Sequence, residues 1–441
     1  MRKPFGIIAD DLTGANDTGA QFSRRGAKVL VFLSLERIPS KIDGDWDAIV
    51  INAGSRNLAP AASRARMEEA ISCMESLGCE FAYHKVDSTL RGNWSVELEL
   101  ALSRREGMAI LAPAFPLNGR TVEGGELKVR GVPLHLTEAA LDSLSPVRGS
   151  GIEALLGESL ARQSRRLGFT KLSQGVEAVR SALLKAREEG ARILICDTRE
   201  QADLRTIAEA AWPEHSRALL CGSAGLAREL GALLEFTRSR RPDGIPKSRP
   251  PVLVIAGSRS EVTAEQVRRL REARSPATGE IDPGSVDDPW NGRKESETAQ
   301  GLVAKLKGMN NSGSWVVTIG ERSPTEEAHF PVRSARLNGL LGELALEALR
   351  ARAVGALILT GGDVAASVLE SLEALGVCLG EEILPGIPLG QVVGGPYEGL
   401  AVVTKAGAFG APDALIDAVS FLQHMERARP IRTDQEGKAM E

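Results

Sequence analysis

Residues 5–19 read FGIIADDLTGANDTG, an apolar run that ends in two adjacent aspartates and is followed by a glycine-containing turn and a segment of helical length. Such β-branched runs recur, with helical segments between them, at 28–33, 48–52, 81–86, 109–112, 192–196, 218–221, 252–256, 315–319, 356–360 and 400–404. This alternation predicts a mostly parallel sheet with helices on both faces. We therefore predict an α/β fold.

The domain organisation follows from the length of 441 residues and one change in composition. At 236–251, Pro, Arg and Ser displace apolar residues and rule out a continuing helix. The sequence predicts one domain at 1–235, a linker at 236–251, a second domain at 252–428 and a charged tail at 429–441. Each domain is expected to be a mostly parallel sheet flanked by helices, with the active site in the cleft between them. A polar stretch at 275–297 is interpreted as an exposed loop or excursion within the second half.

The composition is that of an ordinary globular protein, with 43% hydrophobic and 25% charged residues. The 54 basic and 58 acidic side chains are spread along the chain, which argues against nucleic acid or an anionic membrane as a partner. No signal-like or membrane-spanning segment is evident, so we expect a cytoplasmic location. The five scattered cysteines show neither disulfide nor metal spacing, and reduced thiols are expected.

Polar residues that follow strands matter most, because ligands of open parallel sheets gather beyond the carboxyl ends of the strands. Asp10 and Asp11 could hold a hydroxyl group or Mg²⁺. Helix capping by Asp11 or Thr13 is the alternative. Ser55 and Arg56, after the run at 48–52, could bind a carboxylate, or they could form a loop with a solvated arginine.

Two further segments of the N-terminal half carry candidate ligand groups. The segment 85–93, KVDSTLRGN, has alternating donors and acceptors that suit a polyhydroxylated anion, and its candidates are Lys85, Asp87, Ser88, Arg91 and Asn93. Asp87 could equally be a helix cap or an ion-pair partner of Arg91. The segment 112–121, APAFPLNGRT, either presents Arg120 from a rigid backbone or is simply a structural turn.

Three strand ends in the C-terminal half are rich in glycine and hydroxyl residues: AGSRSEVT at 256–263, LTGGDVA at 359–365 and VTKAGAFG at 403–410. Glycines let the backbone approach phosphate closely, and a lysine supplies a point charge. Candidate nucleotide contacts are Ser258, Ser260, Thr263, Gly361, Gly362, Asp363, Lys405, Gly407 and Gly410. Helix capping by Ser260 and ordinary tight turns are the alternatives, but several such segments in one domain favour a nucleotide pocket.

Conventional catalytic motifs are missing from the sequence. It has no P-loop, no dinucleotide-binding fingerprint after the first strand, no serine-hydrolase elbow and no protein-kinase signature. The five histidines show no metal-ligand spacing, which argues against zinc chemistry and a histidine-based triad.

Taken together, the motifs resemble the four-carbon acid sugar kinase family, whose members phosphorylate threonate, erythronate or oxo-tetronates. The resemblance runs nearly end to end. It is carried by IADDLTG (8–14), SR (55–56), KVDSTLRGN (85–93), PAFPLNGR (113–120), GSRS (257–260), GGD (361–363), LPGIPLG (384–390) and TKAGAFG (404–410).

The resemblance implies a sugar-acid-binding N-terminal domain, an ATP-binding C-terminal domain, and transfer of the γ-phosphoryl group across the cleft to a terminal hydroxyl group. ATP and Mg²⁺ are the implied cofactors, no metal ligand set is assigned, and a homodimer stays open. Asp10 and Asp11 would lie near the reacting hydroxyl group, and Asp363 would be the base or a Mg²⁺ partner. The sugar acid would contact Ser55, Arg56, Lys85, Asp87, Ser88, Arg91, Asn93 and Arg120.

The sequence also departs from the family pattern. Val364 replaces a usual threonine, and Ala406 and Ala408 replace a usual serine and glycine of the lysine-containing loop. Trp94 and the stretch 121–129 also differ, which leaves the acid open, with threonate or erythronate favoured over 3-oxo-tetronate. A non-catalytic sugar-acid- or nucleotide-binding protein is a second hypothesis. A Rossmann-type oxidoreductase is a third, against which the missing fingerprint argues.

Overall fold

The computed structural model describes most of both halves of the chain. The described residues are 3–142, 144–215, 217–234, 236, 251–257, 260–283, 292–309, 313–320 and 330–424. Apart from Phe236 and Pro251, the predicted linker lies outside these residues, as do the predicted tail and Ser258.

The N-terminal half alternates strands and helices as the sequence predicts. In chain order it contains β1 (Phe5–Ala9), α1 (Leu12–Ser23), β2 (Val29–Phe32), β3 (Ala48–Asn52), α2 (Pro60–Ser76), β4 (Glu80–Lys85), α3 (Trp94–Ser103), β5 (Met108–Ala112), β6 (Arg120–Glu123), β7 (Glu126–Val129), β8 (Val132–Pro133), α4 (Ile152–Leu155), α5 (Glu158–Arg162), β9 (Ser164–Leu167), α6 (Phe169–Leu172), α7 (Val176–Glu188), β10 (Ile193–Cys196), α8 (Gln201–Ala211), β11 (Ala218–Gly222) and α9 (Ala224–Leu233). Short 3₁₀ turns cover Leu35–Arg37, Pro116–Asn118, Leu134–Leu136, Glu138–Leu141 and Trp212–Glu214.

The C-terminal half continues the alternation and adds one long hairpin, β16–β17. Its elements are β12 (Val252–Ala256), α10 (Glu261–Arg274), β13 (Ala277–Ile281), α11 (Gly292–Gly308), β14 (Ser314–Ile319), α12 (Phe330–Arg350), β15 (Ala356–Thr360), α13 (Gly362–Ser371), β16 (Gly376–Leu384), β17 (Ile387–Val393), β18 (Ala401–Lys405) and α14 (Ala414–His424). Within the described residues, no helix has the length and apolar composition needed to cross a bilayer.

The strands of the two halves form one continuous 15-stranded sheet, in the order β13-β14-β12-β15-β18-β17-β16-β2-β3-β1-β4-β11-β5-β10-β9. Neighbouring strands run parallel except at β18–β17, β17–β16 and β16–β2. A small antiparallel sheet, β6-β7-β8, lies apart. The predicted α/β fold with mostly parallel sheets is confirmed, and the two parallel blocks are joined edge to edge by the β16–β17 hairpin.

The three antiparallel pairings reverse the strand direction between the two parallel blocks. Six strand-to-strand steps separate β15 from β1. A twist of about 20–25° per step rotates these strands by roughly 120–150°, which offsets much of the reversal. The loops after β15 and β1 therefore come together although the blocks are paired in opposite senses. One buried apolar cluster accordingly includes Ile7 and Val31 together with Leu359 and Val377.

The polar stretch 275–297 was interpreted from the sequence as an exposed loop or excursion. The structure has regular elements at both of its ends, so the loop interpretation was wrong there, and residues 284–291 lie outside the described residues. Strand β13 pairs in parallel with β14 and buries Ala277, Gly279 and Ile281, and α11 begins at Gly292. The apolar signal of β13 is weak because its inward positions include an alanine and a glycine, whereas Thr278 and Glu280 face outward.

Helix α1 packs along the β16–β17 hairpin, and Glu382 of β16 anchors that contact. The Glu382 carboxylate accepts hydrogen bonds from Gln21 Nε2 at 3.1 Å, the backbone N–H of Gly386 at 3.1 Å and Arg24 Nη1 at 2.9 Å. Nearby, Ser23 Oγ donates to the carbonyl oxygens of Leu379 and Gly380 at 2.9 and 2.6 Å. The seam between the halves is therefore polar as well as apolar.

The substitution Glu382→Ala should lower the free energy of unfolding by about 1–3 kcal/mol, because it leaves Gln21 and the Gly386 amide without their acceptor. The ion pair with Arg24 adds little, since that side chain is 36% exposed. Urea unfolding followed by circular dichroism measures the change. Glu381→Ala, at the exposed neighbouring position, is the matched control. Equal stability of the two variants would contradict the assigned role of Glu382.

Candidate active site

The predicted acid-binding segments meet at one edge of the N-terminal block of the sheet. In the sheet order, β1 lies between β3 and β4, and all three run parallel. The aspartate pair follows β1, the Ser55–Arg56 segment follows β3, and the segment that begins at Asp87 follows β4. The parallel register thus brings together three segments that are far apart in the sequence.

Arg56 holds both aspartates of the first loop. Its Nε and Nη2 donate to Asp10 at 2.7 and 2.9 Å, and its Nη1 and Nη2 donate to Asp11 at 2.7 Å each. Burial raises the pKa of Asp11, and the charge of Arg56 offsets only part of this rise. The Asp10 side chain is 1% exposed and that of Asp11 is 21% exposed, so Asp11 is the acid open to the cleft.

Asp11 has a second contact, because its Oδ1 accepts a hydrogen bond from the Gly14 amide at 2.8 Å and caps α1. Lys85 Nζ lies at the same turn. A Cβ atom at Gly14 would come within 2.6 Å of Lys85 Nζ and 2.7 Å of Asp11 Oδ1, so a side chain there would displace these two charged groups. The Lys85 side chain is buried and donates no hydrogen bond to any described residue. Its positive charge lowers the pKa values of Asp11, Asp17 and Asp87, so the ammonium group lies among carboxylates, and its contact with a ligand stays a prediction.

Asp87 is the ion-pair partner of Arg91. This was one of the two alternatives to ligand binding that the sequence left open for Asp87. Arg91 Nε and Nη2 donate to the Asp87 carboxylate at 2.8 and 3.2 Å, and Arg91 Nη1 donates to Asp142 at 3.1 Å. Burial alone would raise the pKa of Asp87, but Arg91 and Arg56 together hold it well below its usual range. The group is therefore a charged acceptor, and a third of the Arg91 side chain remains exposed.

Three other predicted acid contacts, Asn93, Ser55 and Ser88, lie in or next to the same segments. Asn93 Nδ2 donates to the carbonyl oxygens of Ser55 and Leu58 at 3.2 and 2.8 Å, which holds the loop that carries Arg56. Ser55 Oγ is buried and has no hydrogen-bond partner among the described residues. Ser88 is buried beside Asp87. The structure therefore brings the predicted acid-binding residues together, and a direct contact with a ligand stays a prediction for each.

The glycine-containing loop after β18 is held in place from α10. Thr263 Oγ1 donates to the carbonyl oxygen of Gly407 at 2.8 Å, and Gln266 Nε2 donates to that of Phe409 at 3.0 Å. Ser260 caps α10 through the Val262 amide at 3.3 Å, so the capping interpretation of Ser260 applies. Thr263 supports the loop through its hydroxyl group.

Lys405 lies inside the loop that it begins. Its Nζ donates to the carbonyl oxygens of Ala406, Gly407 and Phe409 at 2.8, 3.1 and 3.0 Å. Burial lowers the pKa of this ammonium group to about 8. In this arrangement Lys405 organises the loop backbone, and its charge lies directly beneath the loop.

The glycine pair after β15 forms one of the contacts with the N-terminal half. Gly361 adopts a left-handed φ of 97°, and its amide donates to the carbonyl oxygen of Lys405 at 2.8 Å. A Cβ atom at Gly362 would lie 2.6 Å from Thr13 Oγ1 and 3.5 Å from Asp11 Oδ2. Asp363 is exposed in the first turn of α13.

Val364, where the family pattern has a threonine, packs against the end of β12. Val364 is buried, and a Cβ atom at Gly257 would meet its Cγ2 at 2.4 Å. The side chain therefore packs under the β12 loop.

Two further contacts join the predicted acid and nucleotide segments. Asn16 Nδ2 of α1 donates to Thr404 Oγ1 of β18 at 3.1 Å. The Arg120 guanidinium lies 5.8 Å from the ring centre of Phe409 in the lysine-containing loop. The two sets of segments thus face each other directly.

A row of buried polar residues on α1 was not predicted from the sequence. Asn16, Asp17, Thr18 and Gln21 each have a buried oxygen atom without a hydrogen-bond partner among the described residues. Burial raises the pKa of Asp17 to about 7, Lys85 lowers it and Glu382 raises it. The sequence feature that could have indicated this row is the helix-length segment LTGANDTGAQFS, which has polar residues at its centre and no acidic or basic residue in its end turns.

The fold and this arrangement define an α/β protein with a cluster of charged residues where its two halves meet. The comparisons agree with this description. Family models described as a sugar-binding N-terminal domain and a nucleotide-binding C-terminal domain match residues 5–230 and 253–415. The chain belongs to the four-carbon acid sugar kinase family.

Relatives with established names align over nearly the whole chain. It is 34% identical to a D-threonate kinase of Salmonella typhimurium over 95% of this chain and 98% of that protein. It is 31% identical to a D-erythronate kinase of Heliobacterium modesticaldum, covering 94% and 96%. It is also 31% identical to a 3-oxo-tetronate kinase of Pseudomonas fluorescens, covering 96% and 97%.

Solved structures confirm the fold. A Salmonella typhimurium LT2 protein superimposes with a TM-score of 0.76 at 23% identity, covering 94% of this chain and 98% of that one. A Haemophilus influenzae protein gives 0.71 at 23% identity, covering 95% and 100%.

The stability gained by Asp17→Asn should depend on pH. The folded-state pKa is raised from 3.8 to about 7, so wild-type stability falls as pH rises through this interval, and the buried charge is most unfavourable above it. The difference in unfolding free energy between variant and wild type should therefore grow from pH 4 to pH 8. Urea titrations at several pH values measure it, and parallel curves would contradict the assignment.

The affinity of the protein for an ATP analogue should fall as pH rises through about 8, because Lys405 then loses its charge. Lys405→Arg keeps the charge at higher pH and should flatten the profile between pH 7 and pH 9.5. Calorimetric titration at each pH gives the affinities. If wild type and variant show the same pH dependence, Lys405 does not supply the charge that meets the nucleotide.

Proposed function

We propose that the protein is an ATP-dependent kinase that phosphorylates a hydroxyl group, most simply the terminal one, of a four-carbon sugar acid. One observation carries this proposal. The charged cluster after β1, β3 and β4 meets the glycine–lysine loops after β15 and β18 at the contact of Thr13 with Gly362. Phosphoryl transfer depends mainly on positioning two substrates against each other and neutralising charge, and this junction can do both.

The acid would occupy the N-terminal side of the junction. Among the described residues, the Lys85 ammonium group has no hydrogen-bond partner. Arg91 is paired with Asp87 and Asp142, but about a third of its side chain remains exposed. These two cations would bind the substrate carboxylate. Asp11 would accept hydrogen bonds from the hydroxyl groups of the substrate, and Ser55 could donate to them or accept from them. Arg56 already binds the carboxylates of Asp10 and Asp11, so its main role would be to hold these two side chains in place rather than to bind the substrate.

The nucleotide would occupy the C-terminal side of the junction. Helices α10 and α13 begin next to it, and helix N-termini favour phosphate groups because their amides are unpaired. Gly361 and Gly362 have no side chains to hold a phosphate group away from their backbone. Lys405 places a positive charge beneath the neighbouring loop. Relatives that carry kinase names, together with the nucleotide-binding family model, support ATP as the donor.

Mg²⁺ would bind through Asp363 and the nucleotide phosphates. Among the described residues, no group of three or more acidic, histidine or cysteine side chains forms a cage for a metal ion. Magnesium in phosphoryl-transfer enzymes needs only one or two carboxylates besides phosphate, and the exposed Asp363 at the start of α13 suits that role. When bound, Mg²⁺ would neutralise charge on the phosphates.

In the reaction, the substrate hydroxyl oxygen would attack the γ-phosphorus while the bond to the β,γ-bridging oxygen breaks and ADP leaves. Asp11 would accept the hydroxyl proton, because it is the acid that lies beside Gly362 and burial raises its pKa. D-Threonate is the first substrate to test, followed by D-erythronate and 3-oxo-tetronate, because three relatives are named as kinases of these acids. A cytoplasmic location and a homodimer stay predictions.

A coupled assay for ADP should show turnover with ATP, Mg²⁺ and at least one of these three acids. Arg91→Ala should raise KM for the acid by about 10- to 100-fold, since it removes a charged donor, and should leave the affinity for an ATP analogue unchanged. The matched control is Arg64→Ala, which alters an exposed arginine on α2.

Two results would contradict the proposal at different levels. Absence of ADP formation with all three acids would count against kinase activity on this substrate class. Turnover with an unchanged KM in the Arg91→Ala variant would support the kinase and overturn the placement of the acid.

A further inference from the structure

We propose that Arg120 and Phe409 couple the two binding sites, so that a sugar acid bound to the N-terminal half tightens nucleotide binding by the C-terminal half. This inference deepens the proposed function and rests on it. It concerns a contact between a side chain of the predicted acid site and the ring at the tip of the predicted nucleotide loop. At 5.8 Å between the guanidinium and the ring centre, the pair is within the range of a cation–π interaction.

Arg120 is presented from a rigid turn. The Phe115 and Arg120 backbones exchange two hydrogen bonds of 3.0 Å, and Gly119 between them adopts a left-handed φ of 74°. Arg120 Nη1 also donates to the carbonyl oxygen of Asn118 within the same turn. A movement of the guanidinium would therefore involve only the end of the side chain.

The electrostatic surroundings of Arg120 make it sensitive to an anion. Burial lowers the pKa of Arg120, Asp87 raises it, and the charges of Arg130 and Arg91 lower it further. Its Nε is buried and has no hydrogen-bond partner among the described residues. A substrate carboxylate near Arg91 would relieve this repulsion and offer an acceptor, so acid binding changes the balance of forces on Arg120.

Phe409 passes that change to the nucleotide loop. Its carbonyl oxygen accepts hydrogen bonds from Lys405 Nζ and Gln266 Nε2, each at 3.0 Å. Its ring lies against the hairpin turn, where a Cβ atom at Gly386 would meet Phe409 Cδ2 at 2.9 Å. The ring is thus held between Arg120 on one half and the backbone of the other half. An acid that fixes Arg120 over the ring would fix the loop in which Lys405 is bound.

Calorimetry with a non-hydrolysable ATP analogue, with and without a saturating concentration of the acid that supports turnover, tests the coupling. In the wild type the acid should tighten analogue binding by about fivefold or more, the lower range of typical coupling between two sites. Phe409→Leu removes the aromatic face without touching the acid site and should bring this ratio close to one. Phe409→Tyr keeps the face and should retain the wild-type ratio.

The variant Arg120→Ala and the double variant with Phe409→Leu complete the cycle. If the two side chains act as a pair, the double variant should show no greater loss of coupling than Phe409→Leu alone. A wild-type ratio of one, or an unchanged ratio in Phe409→Leu, overturns the coupling. These outcomes are separate from failure of the proposed function, which is recorded as absence of ADP formation by the wild type with every four-carbon acid.

Discussion

The antiparallel pairing of β2 with β16 is the contact on which the arrangement of the two halves depends. Val29–Phe32 of the N-terminal half face Gly376–Leu379 of the C-terminal half in continuous register. Because every strand on either side belongs to a twisted sheet, this one pairing sets where all the strand ends lie. Helix α1 then packs against the hairpin through Glu382, Gln21 and Ser23. The cleft is consequently formed by a continuous framework rather than by two separately packed sheets.

At the cleft, the dominant interaction is that of Arg56 with Asp10 and Asp11. Two adjacent buried carboxylates would repel each other, and one guanidinium with bidentate geometry to both offsets that repulsion. One strand away, the Arg91 guanidinium likewise neutralises the charge of the Asp87 carboxylate. Fixed charges of this kind reduce the reorganisation needed when a charged substrate enters. Lys85 has no ion pair of this close geometry among the described residues, but its charge acts on Asp11, Asp17 and Asp87.

Much of the fold could be predicted from local sequence. The β1, β3, β12 and β15 bounds follow directly from short, fully buried β-branched runs. Strand β13 was not predicted, because small residues, an alanine and a glycine, occupy two of its inward positions. From the sequence, the hairpin β16–β17 was recognised only as the motif LPGIPLG at 384–390, with two prolines and two glycines. Its role as the bridge depends on pairing with a strand more than 340 residues earlier, which no local pattern encodes.

The candidate site was predictable in composition but not in its internal bonding. Motif reasoning found the residues that follow each strand, including Arg56 and Lys405. It could not show that Arg56 is shared by two aspartates or that Lys405 is bound by three carbonyl oxygens of its own loop, because both depend on side-chain geometry. The polar row on α1 was missed because Asn16, Asp17 and Gln21 look like an exposed helix face until the C-terminal half covers them.

A crystal structure with a non-hydrolysable ATP analogue and D-threonate bound together would test most directly the claim that both substrates meet where Thr13 contacts Gly362. The account predicts the γ-phosphate at the Gly361–Gly362 turn, next to Asp11, with the acid carboxylate at Lys85 and Arg91. A nucleotide bound away from the loop that begins at Lys405, or an acid bound outside the cluster around Asp87, would contradict it.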